Sequence, residues 1–433
     1  MTTPSPGLVV FALWLLVFSA SSQIMIISPI LPQIGRELDI APALLGSLVS
    51  AYSIMVGIFA VISGPISDRI GRRRILLLGS GIMTVGLLLH GFVQGYASFL
   101  AVRIFTGIAG GILSGSAVSY VGDYFPYARR GWATGWVMSG AAFGQILGIP
   151  AGIAMAGEYG FRSPFYLFAV TMALTFLLVW SRVPQPNVER SRDPVTIRGG
   201  VKTYMEMLRR PEIAAASFAF FLMFLGVSLY VVYLPTWLER DLGATSNQIA
   251  MLFLIGGVAN VLTGPQAGKL SDRIGRKGLV ILSCVGLSVV MALTTPLTRS
   301  VWAAFPLFFL TMVLVAMRVS PFSALLTALV RDGQRGSLLS LTVALGQVGF
   351  ALGASLAGPL FAGYGYVSNT LLAATSVLLM GVVVWRLVPE PPRSGIFQED
   401  EGLSTPLQAP EVDVMEPMMG RARDRQSRTE ESR

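Results

Sequence analysis

The sequence contains very few of the residues that form disulfides and metal centres. Its 433 residues include one cysteine, Cys284, and one histidine, His90. A single cysteine excludes an internal disulfide, and a single histidine excludes a His/Cys metal cluster. The same histidine count excludes the His-Glu-x-x-His pattern of zinc proteases, and no Gly-x-x-x-x-Gly-Lys-Ser/Thr nucleotide loop occurs. We therefore expect no cofactor, no metal site and no enzymatic activity.

Charged residues are also scarce. They make up 13% of the chain, about half the share of a soluble globular protein, whereas hydrophobic residues make up 53%. Such a chain cannot stay solvated, so disorder is excluded for most of its length. The composition is typical of a helical membrane protein with many spans.

Twelve stretches are long and apolar enough to cross the roughly 30 Å hydrocarbon layer of a bilayer. The sequence therefore predicts an all-α membrane protein with twelve transmembrane helices. The predicted spans cover approximately residues 8–30, 43–65, 75–95, 98–121, 131–154, 164–182, 213–236, 247–267, 278–298, 302–328, 336–360 and 366–388.

Lysine and arginine are concentrated on one side of this topology. If the N-terminus is cytoplasmic, the external connections hold only Arg36, Arg162, Arg240 and Arg299, and the other loops are rich in basic residues. The positive-inside rule therefore predicts cytoplasmic termini in a plasma membrane, and we expect a bacterial inner membrane. The net charge of +9 is explained by topology, without a nucleic-acid partner.

The two halves of the sequence repeat each other. Residues 64–74, GPISDRIGRRR, return at 268–278 as GKLSDRIGRKG, identical at seven of eleven positions. Because six predicted spans separate the copies, the repeat is parallel, about an axis along the membrane normal. Transporters with such repeats bind substrate between the halves near the midplane.

The repeat also predicts the domain organisation. Two six-helix bundles, 1–182 and 213–388, are joined by a cytoplasmic linker, 183–212, with one surface helix expected near residues 201–210. Residues 389–433 lose hydrophobic periodicity and are rich in charged residues, proline and serine. This composition predicts a disordered cytoplasmic tail.

The repeated loop resembles the most diagnostic motif of the major facilitator superfamily, Gly-x-Leu-x-x-Asp-Arg-x-Gly-Arg-Lys/Arg. The resemblance covers roughly residues 8–388. It implies a monomer in the lipid bilayer, with two pseudo-symmetric bundles that move a small-molecule substrate by alternating access. It also implies that the loop latches the cytoplasmic side closed. The latch residues expected from it are Gly64, Asp68, Arg69, Gly71, Arg72, Asp272, Arg273, Gly275 and Arg276.

Narrower features resemble the twelve-span drug:proton antiporter branch of that superfamily. Residues 29–32 match its Pro-x-x-Pro signature, and Arg103 begins an Arg-x-x-x-Gly-x-x-Gly element. A Gly-x-x-x-Gly-x-x-x-Gly run over 140–148 is similar to its antiporter motif, with Gln145 where that motif has proline. This resemblance implies efflux of drug-like or metabolite substrates in exchange for protons.

Arg103 and Arg318 are the basic residues deep inside the predicted spans, and no Asp or Glu lies deep within one. An arginine in the bilayer is costly unless it faces a cavity or a partner. These two cations predict a positive cavity that favours neutral or anionic substrates. The alternative function is uptake or exchange of an anionic organic metabolite, clamped by both arginines. A transporter-like sensor is a further alternative.

Polar and aromatic side chains within the spans are the other candidates for the cavity wall. Each could instead hydrogen-bond neighbouring helices. We expect His90 to be interfacial, and we expect the glycine runs of spans 5 and 11 to form a sliding surface between the halves. The coupling or substrate candidates besides Arg103 and Arg318 are Gln23, Tyr52, Gln145, Tyr230, Asn260 and Gln347, with Ser22 and Tyr233 as further possibilities.

Overall fold

A computed structural model describes residues 5–186, 204–330 and 335–390 of the chain. Within these ranges twelve helices are long and apolar enough to cross a membrane, with mean hydropathy between 1.4 and 2.2. The predicted all-α fold with twelve spans is confirmed. The predicted tail beyond residue 390 and most of the predicted linker lie outside the described residues.

The spans are numbered in chain order. In the first half they are Pro6–Met25 with Ile27–Glu37 (span 1), Pro42–Ile70 (span 2), Arg72–Leu89 (span 3), Tyr96–Leu113 with Ser116–Tyr124 (span 4), Tyr127–Phe143 with Ile149–Tyr159 (span 5) and Ser163–Arg182 (span 6). In the second half they are Pro211–Val231 with Leu234–Leu242 (span 7), Ser246–Ile274 (span 8), Arg276–Leu297 (span 9), Val301–Thr327 (span 10), Arg335–Tyr364 (span 11) and Tyr366–Leu387 (span 12).

Helix packing follows the same scheme in both halves. Span 2 packs on span 4, span 3 on spans 4 and 6, and span 1 on spans 5 and 6. The same pairs recur when six is added to each number, so that span 8 packs on span 10, and so on. Between the halves, span 2 packs along span 11 and span 5 along span 8, which are equivalent pairs under this rule. The two repeated halves therefore form two bundles that are related by a pseudo-two-fold axis.

The twelve spans alternate in direction, so both ends of the described chain lie on one side of the membrane. We call this side, which carries Ser5 and Glu390, the terminal face, and the other side the opposite face. Many large apolar side chains are exposed along the spans, among them Leu282, Trp302 and Trp385. An exposed apolar surface of this extent is expected where helices face lipid.

Candidate functional site

A cavity of about 360 Å³ lies between the two halves. Spans 1, 2 and 5 form one wall, and spans 7, 8, 10 and 11 form the other. Most of the lining is aliphatic or aromatic. The lining residues are Ile24, Met25, Ser28, Tyr52, Ser53, Gln145, Ile149, Phe224, Val227, Val231, Phe253, Gly256, Gly257, Asn260, Phe308, Met312, Val315, Gln347 and Phe350.

The polar groups of the cavity wall include three amides and a phenol. Asn260 Nδ2 donates to Gln145 Oε1 at 3.1 Å, which joins span 8 to span 5 across the halves. Tyr52 accepts a hydrogen bond of 2.9 Å from Gln23 Nε2, behind the wall. Gln347, on span 11, lies in the opposing wall. Each of these groups can donate to or accept from an uncharged polar ligand.

Span 5 changes its winding where Gln145 meets the cavity. Residues 144–148 form one π-helical turn between the two α-helical parts of the span. Such turns displace one residue from the regular helical register and are frequent at functional sites. Span 8 comes close at the same level, because a Cβ atom on Gly257 would lie 3.3 Å from the Gln145 carbonyl oxygen. Gly257 therefore permits the close approach that lets Asn260 reach the Gln145 amide.

Toward the opposite face, hydrogen bonds between the halves close the cavity. The Tyr233 hydroxyl of span 7 donates to the Pro42 carbonyl at 2.5 Å and accepts from the Gly46 amide at 3.0 Å. Ser50 of span 2 donates to the Ala351 carbonyl at 2.6 Å. These bonds join span 2 to spans 7 and 11. We call this contact region the seam.

Two glycines allow the backbones to meet at the seam. A Cβ atom on Gly46 would lie 1.9 Å from the Ala354 carbonyl oxygen, and one on Gly358 would lie 2.3 Å from the Ala43 carbonyl oxygen. No side chain fits at such distances, so the seam closes only with glycine at these positions. An ion pair between Arg36 and Glu239 also joins the halves at the opposite face.

The repeated turns at the terminal face have nearly identical backbones. Gly71 has φ of 102° and Gly275 has φ of 103°, in the region that favours glycine. Arg72 Nε bonds Asp123 of span 4 at 2.6 Å, and Arg276 contacts Asp272 at 3.5 Å. The surroundings of Gly64 and of the Asp68 side chain are outside the described part of the structure, while Arg69 and Arg273 are exposed. The geometry supports the predicted turn, and the predicted latch stays a prediction.

A residue three positions beyond the end of span 6, and another three beyond the end of span 12, cap these turns, which the sequence analysis missed. Gln185 Oε1 accepts from the Arg73 amide at 3.2 Å, and Glu390 Oε1 accepts from the Arg276 amide at 2.8 Å. The two acceptors satisfy free amides at the starts of spans 3 and 9. A sequence signal was present, since Gln185 and Glu390 both lie between two prolines.

Comparisons with known proteins agree with this architecture. A family model described as the Major Facilitator Superfamily matches residues 13–239 and 216–415. The chain belongs to the Major Facilitator Superfamily. Members of this superfamily and the relatives below are transporters, so the chain is a multi-pass membrane transporter and not an enzyme.

Curated relatives match over nearly the whole chain. The MFS-type transporter YwfA of Bacillus subtilis is 26% identical over 383 residues, covering 88% of this chain and 91% of the relative. The multidrug resistance protein MdtG of Salmonella paratyphi C is 26% identical over 387 residues, covering 86% and 93%. These relatives place the chain among superfamily transporters that include a multidrug resistance protein.

Solved structures of superfamily members share the fold. A D-xylose–proton symporter has a TM-score of 0.74 at 20% identity, covering 89% of this chain and 98% of its own. The human organic anion transporter MFSD10 has a TM-score of 0.66 at 16% identity, covering 88% and 100%. At these identities the likeness concerns the fold.

The two arginines buried in the spans of this transporter lie outside the cavity lining. Arg103 is 1% exposed, donates from Nε to the Leu48 carbonyl at 3.2 Å, and lies 4.3 Å from the centroid of the Tyr52 ring. Its contacts are with span 2, and it is not among the lining residues of the cavity. Arg103 therefore faces a partner in this conformation, with Tyr52 between it and the cavity, and its role in coupling or substrate binding stays a prediction.

Arg318 is also buried, 0% exposed, and it too is absent from the cavity lining. Its guanidinium lies beside the thiol of Cys284 on span 9. Within the described part of the chain its three nitrogens have no hydrogen-bond partner. Neither arginine reaches the cavity wall in this conformation, and the predicted positive field of the cavity stays a prediction.

Of the six coupling or substrate candidates predicted besides the two arginines, four line the cavity and two do not. Tyr52, Gln145, Asn260 and Gln347 belong to the wall. Gln23 is fully buried behind Tyr52. Tyr230 is fully buried within the second half, where its hydroxyl lies 3.1 Å from Thr294 Oγ1 of span 9.

Three further expectations need correction. Ser22 packs against the glycines of span 5 rather than the cavity, since a Cβ atom on Gly148 would lie 2.3 Å from its Oγ. Tyr233 is fully buried in the seam and does not line the cavity. His90 is also fully buried, because its ring stacks on Phe165 at 3.9 Å.

The glycine runs do not form the predicted sliding surface between the halves. The run of span 5 packs on span 1, where a Cβ atom on Gly140 would lie 2.5 Å from the Trp14 carbonyl oxygen. In span 11, Gly349 and Gly353 pack on span 7 in the same way. Each run therefore tightens its own bundle, and the glycines of the seam are others, Gly46 and Gly358.

Proposed function

We propose that this transporter exports small organic compounds across the plasma membrane by alternating access, driven by proton entry. The observation that carries the proposal is the cavity between the halves, which the seam closes toward the opposite face. The seam joins the two halves through hydrogen bonds and close packing at Gly46 and Gly358. Because these contacts lie between the bundles, the seam can open without breaking either bundle. Opening the seam would release a bound compound to the opposite side.

The proposed direction of transport rests on the orientation of the chain in the membrane and on the residues that line the cavity. The basic loops predict that the terminal face is cytoplasmic and the opposite face extracellular. A cavity closed on the extracellular side can load from the cytoplasm or from the inner leaflet. Its apolar wall suits the drug-like compounds implied by the name of the relative MdtG. Export is therefore the proposed direction, in a bacterial inner membrane.

Proton coupling is part of the proposal because the sequence has no nucleotide-binding loop. A membrane potential of 100 mV supplies about 2.3 kcal/mol per charge moved. A solved relative of the same fold is itself a proton symporter. No carboxylate lines the cavity in the described ranges. We propose that Arg103, one side chain behind the wall through Tyr52, contributes to coupling as a fixed positive charge, since a guanidinium does not release its proton at physiological pH.

The competing function, uptake or exchange of an anionic metabolite, requires a cation at the cavity. Arg103 is separated from the cavity by Tyr52, and Arg318 faces Cys284 within the second half. This arrangement favours export of compounds without negative charge. A human organic anion transporter shares the fold, and at 16% identity this likeness concerns the fold alone.

The proposal is tested by flux into proteoliposomes with an acidic interior. The probes are chloramphenicol, which is uncharged, tetraphenylphosphonium, a cation, and p-aminohippurate, an anion. We expect uptake of at least one of the first two that rises with the pH gradient and stops when nigericin collapses it. Exchange of p-aminohippurate that ignores the gradient would establish the competing function. Binding without flux of any probe would indicate a sensor.

A further inference from the structure

The cavity wall contains no charged side chain among the described residues. An ion transferred from water into such a surrounding loses hydration that the wall cannot replace, at a cost of several kcal/mol. An uncharged molecule loses much less. The wall therefore selects against both anions and cations, which is narrower than the sequence-based expectation of neutral or anionic substrates.

The amides of the wall have unused hydrogen-bonding capacity. The bond from Asn260 Nδ2 to Gln145 Oε1 is the one hydrogen bond that either side chain makes with described residues. The Gln145 Nε2 donor and the Asn260 Oδ1 acceptor therefore remain available to a ligand. Gln347, across the cavity, makes no hydrogen bond to the described part of the chain. A bound molecule would find donors and acceptors on both walls.

The backbone holds the Gln145–Asn260 pair in this place. The π-helical turn at 144–148 contains Gln145, and Gly257 admits the Gln145 backbone against span 8. Both features occur beside an otherwise apolar surface formed by Phe253, Phe308 and Met312. An apolar pocket with a few fixed polar groups is the usual form of a small-molecule site, in which the polar groups set specificity.

We propose that the substrate is an uncharged amphipathic molecule whose amide, or equivalent donor and acceptor, binds to Gln145 and Asn260. This inference rests on the proposed function and names the substrate class of the same cavity. The substrate amide would accept from Gln145 Nε2 and donate to Asn260 Oδ1, the two groups that the bond between these side chains leaves free. Because the two side chains belong to different halves, the bound substrate would contact spans 5 and 8 together, which links recognition to the movement of the bundles.

The test uses the full chain in detergent and two molecules of nearly equal shape. Benzanilide carries an amide between two phenyl rings, and trans-stilbene carries a carbon–carbon double bond in the same position. We expect the wild-type protein to bind benzanilide at least tenfold more tightly, since each hydrogen bond contributes about that factor. Thermal stabilisation as a function of probe concentration gives both affinities.

Variants assign the difference to the pair. Gln145→Met keeps the side-chain length and removes the amide, and Asn260→Leu removes its partner. We expect each variant to weaken benzanilide binding about tenfold and to leave stilbene binding unchanged. Gln248→Met, at the start of span 8 and outside the cavity, is the matched control and should bind both probes like the wild type. Two variants on different spans keep the test valid if one fails to fold.

Several outcomes would overturn the inference. They are equal affinity for the two probes, equal loss of both in the variants, no binding of either, and tighter binding of tetraphenylphosphonium or p-aminohippurate than of benzanilide. Flux measurements distinguish failure of this inference from failure of the proposed function. Proton-driven export of a cation would reject the substrate class and keep export. Amide-selective binding without flux would keep the recognition site and reject transport.

Discussion

The two halves share a framework but contribute differently to the cavity. The features that recur are those that set the course of the backbone, namely the turns at Gly71 and Gly275 and the caps from Gln185 and Glu390. The walls differ. The first half contributes Ser28, Tyr52, Ser53 and Gln145 among its few lining residues, whereas the second contributes Phe224, Phe253, Phe308 and Phe350. Duplication has therefore preserved the bundles and left the substrate-facing surfaces free to diverge.

The buried arginines show the same divergence. Arg103, in the first half, has a carbonyl acceptor and an aromatic ring beside it. Arg318, in the second half, has no hydrogen-bond partner among the described residues. A buried cation without an acceptor destabilises the fold, so the two positions should respond differently to the same substitution.

The largest effect is expected where the two halves touch most closely. Gly358→Val would place side-chain atoms against the Ala43 carbonyl oxygen, so the seam could not close. We expect probe flux to fall at least tenfold and hydrogen exchange to rise in spans 2 and 11. Gly363→Val, in the same span with open space around it, is the matched control. Wild-type flux in Gly358→Val would show that the seam is not needed.

The next effect separates the arginines. Arg318→Met removes an unpartnered charge and should raise the melting temperature, whereas Arg103→Met removes a hydrogen bond and a cation–π contact and should lower it. We expect the two unfolding free energies to differ by about 2 kcal/mol. Thermal unfolding in one detergent measures this difference. Equal shifts would mean that Arg318 has an acceptor in the folded protein.

A smaller effect tests whether the repeated turns are equivalent. Gly71→Ala and Gly275→Ala should each lower stability by about 1–3 kcal/mol, because both backbones occupy a conformation that alanine disfavours. Gly71→Ala should cost more, since its Cβ would lie 2.7 Å from the Gln185 side chain, against 3.1 Å from Glu390 for Gly275→Ala. Gly278→Ala, with open space around it, serves as the control and should be tolerated.

The smallest effect concerns the caps. A carboxylate near a helix N-terminus gains a few tenths of a kcal/mol over a neutral amide. Glu390→Gln should therefore lower the melting temperature slightly and Gln185→Glu should raise it, and both shifts should shrink in high salt. Shifts of the same sign in both variants would show that the caps do not act as an equivalent pair.

The sequence predicted the backbone features better than the side-chain directions. The spans follow from hydropathy, and the repeat and the turn glycines follow from a motif that occurs twice. Each of these features depends on local properties of the chain. The direction in which the Gln23 and Tyr230 side chains point does not follow from local properties, because every helix in a bundle has several neighbours. Span 7 also breaks at Val232, which separates Tyr230 in the bundle from Tyr233 in the seam. The position of this helix break cannot be derived from helical periodicity.

The contacts of the arginines and the existence of the caps could not be derived from the sequence, for different reasons. The cost of a buried charge predicts that Arg103 has a partner, but it does not distinguish a neighbouring helix from the cavity. Gln185 and Glu390 act across long sequence separations, so only their common proline context could have drawn attention to them. Gln145 was noticed as a departure from a motif, and its contact with Asn260 depends on a π-helical turn that composition does not reveal.

The burial of Cys284 has a practical consequence. The sole thiol of the chain is 0% exposed, enclosed between spans 9 and 10 and close to Gly381 of span 12. Polar alkylating reagents and spin labels should therefore leave the unmodified protein unreacted. Reporter pairs can be introduced on either side of the seam without first replacing the native thiol, so distances between the bundles can be recorded by electron paramagnetic resonance in an otherwise native background.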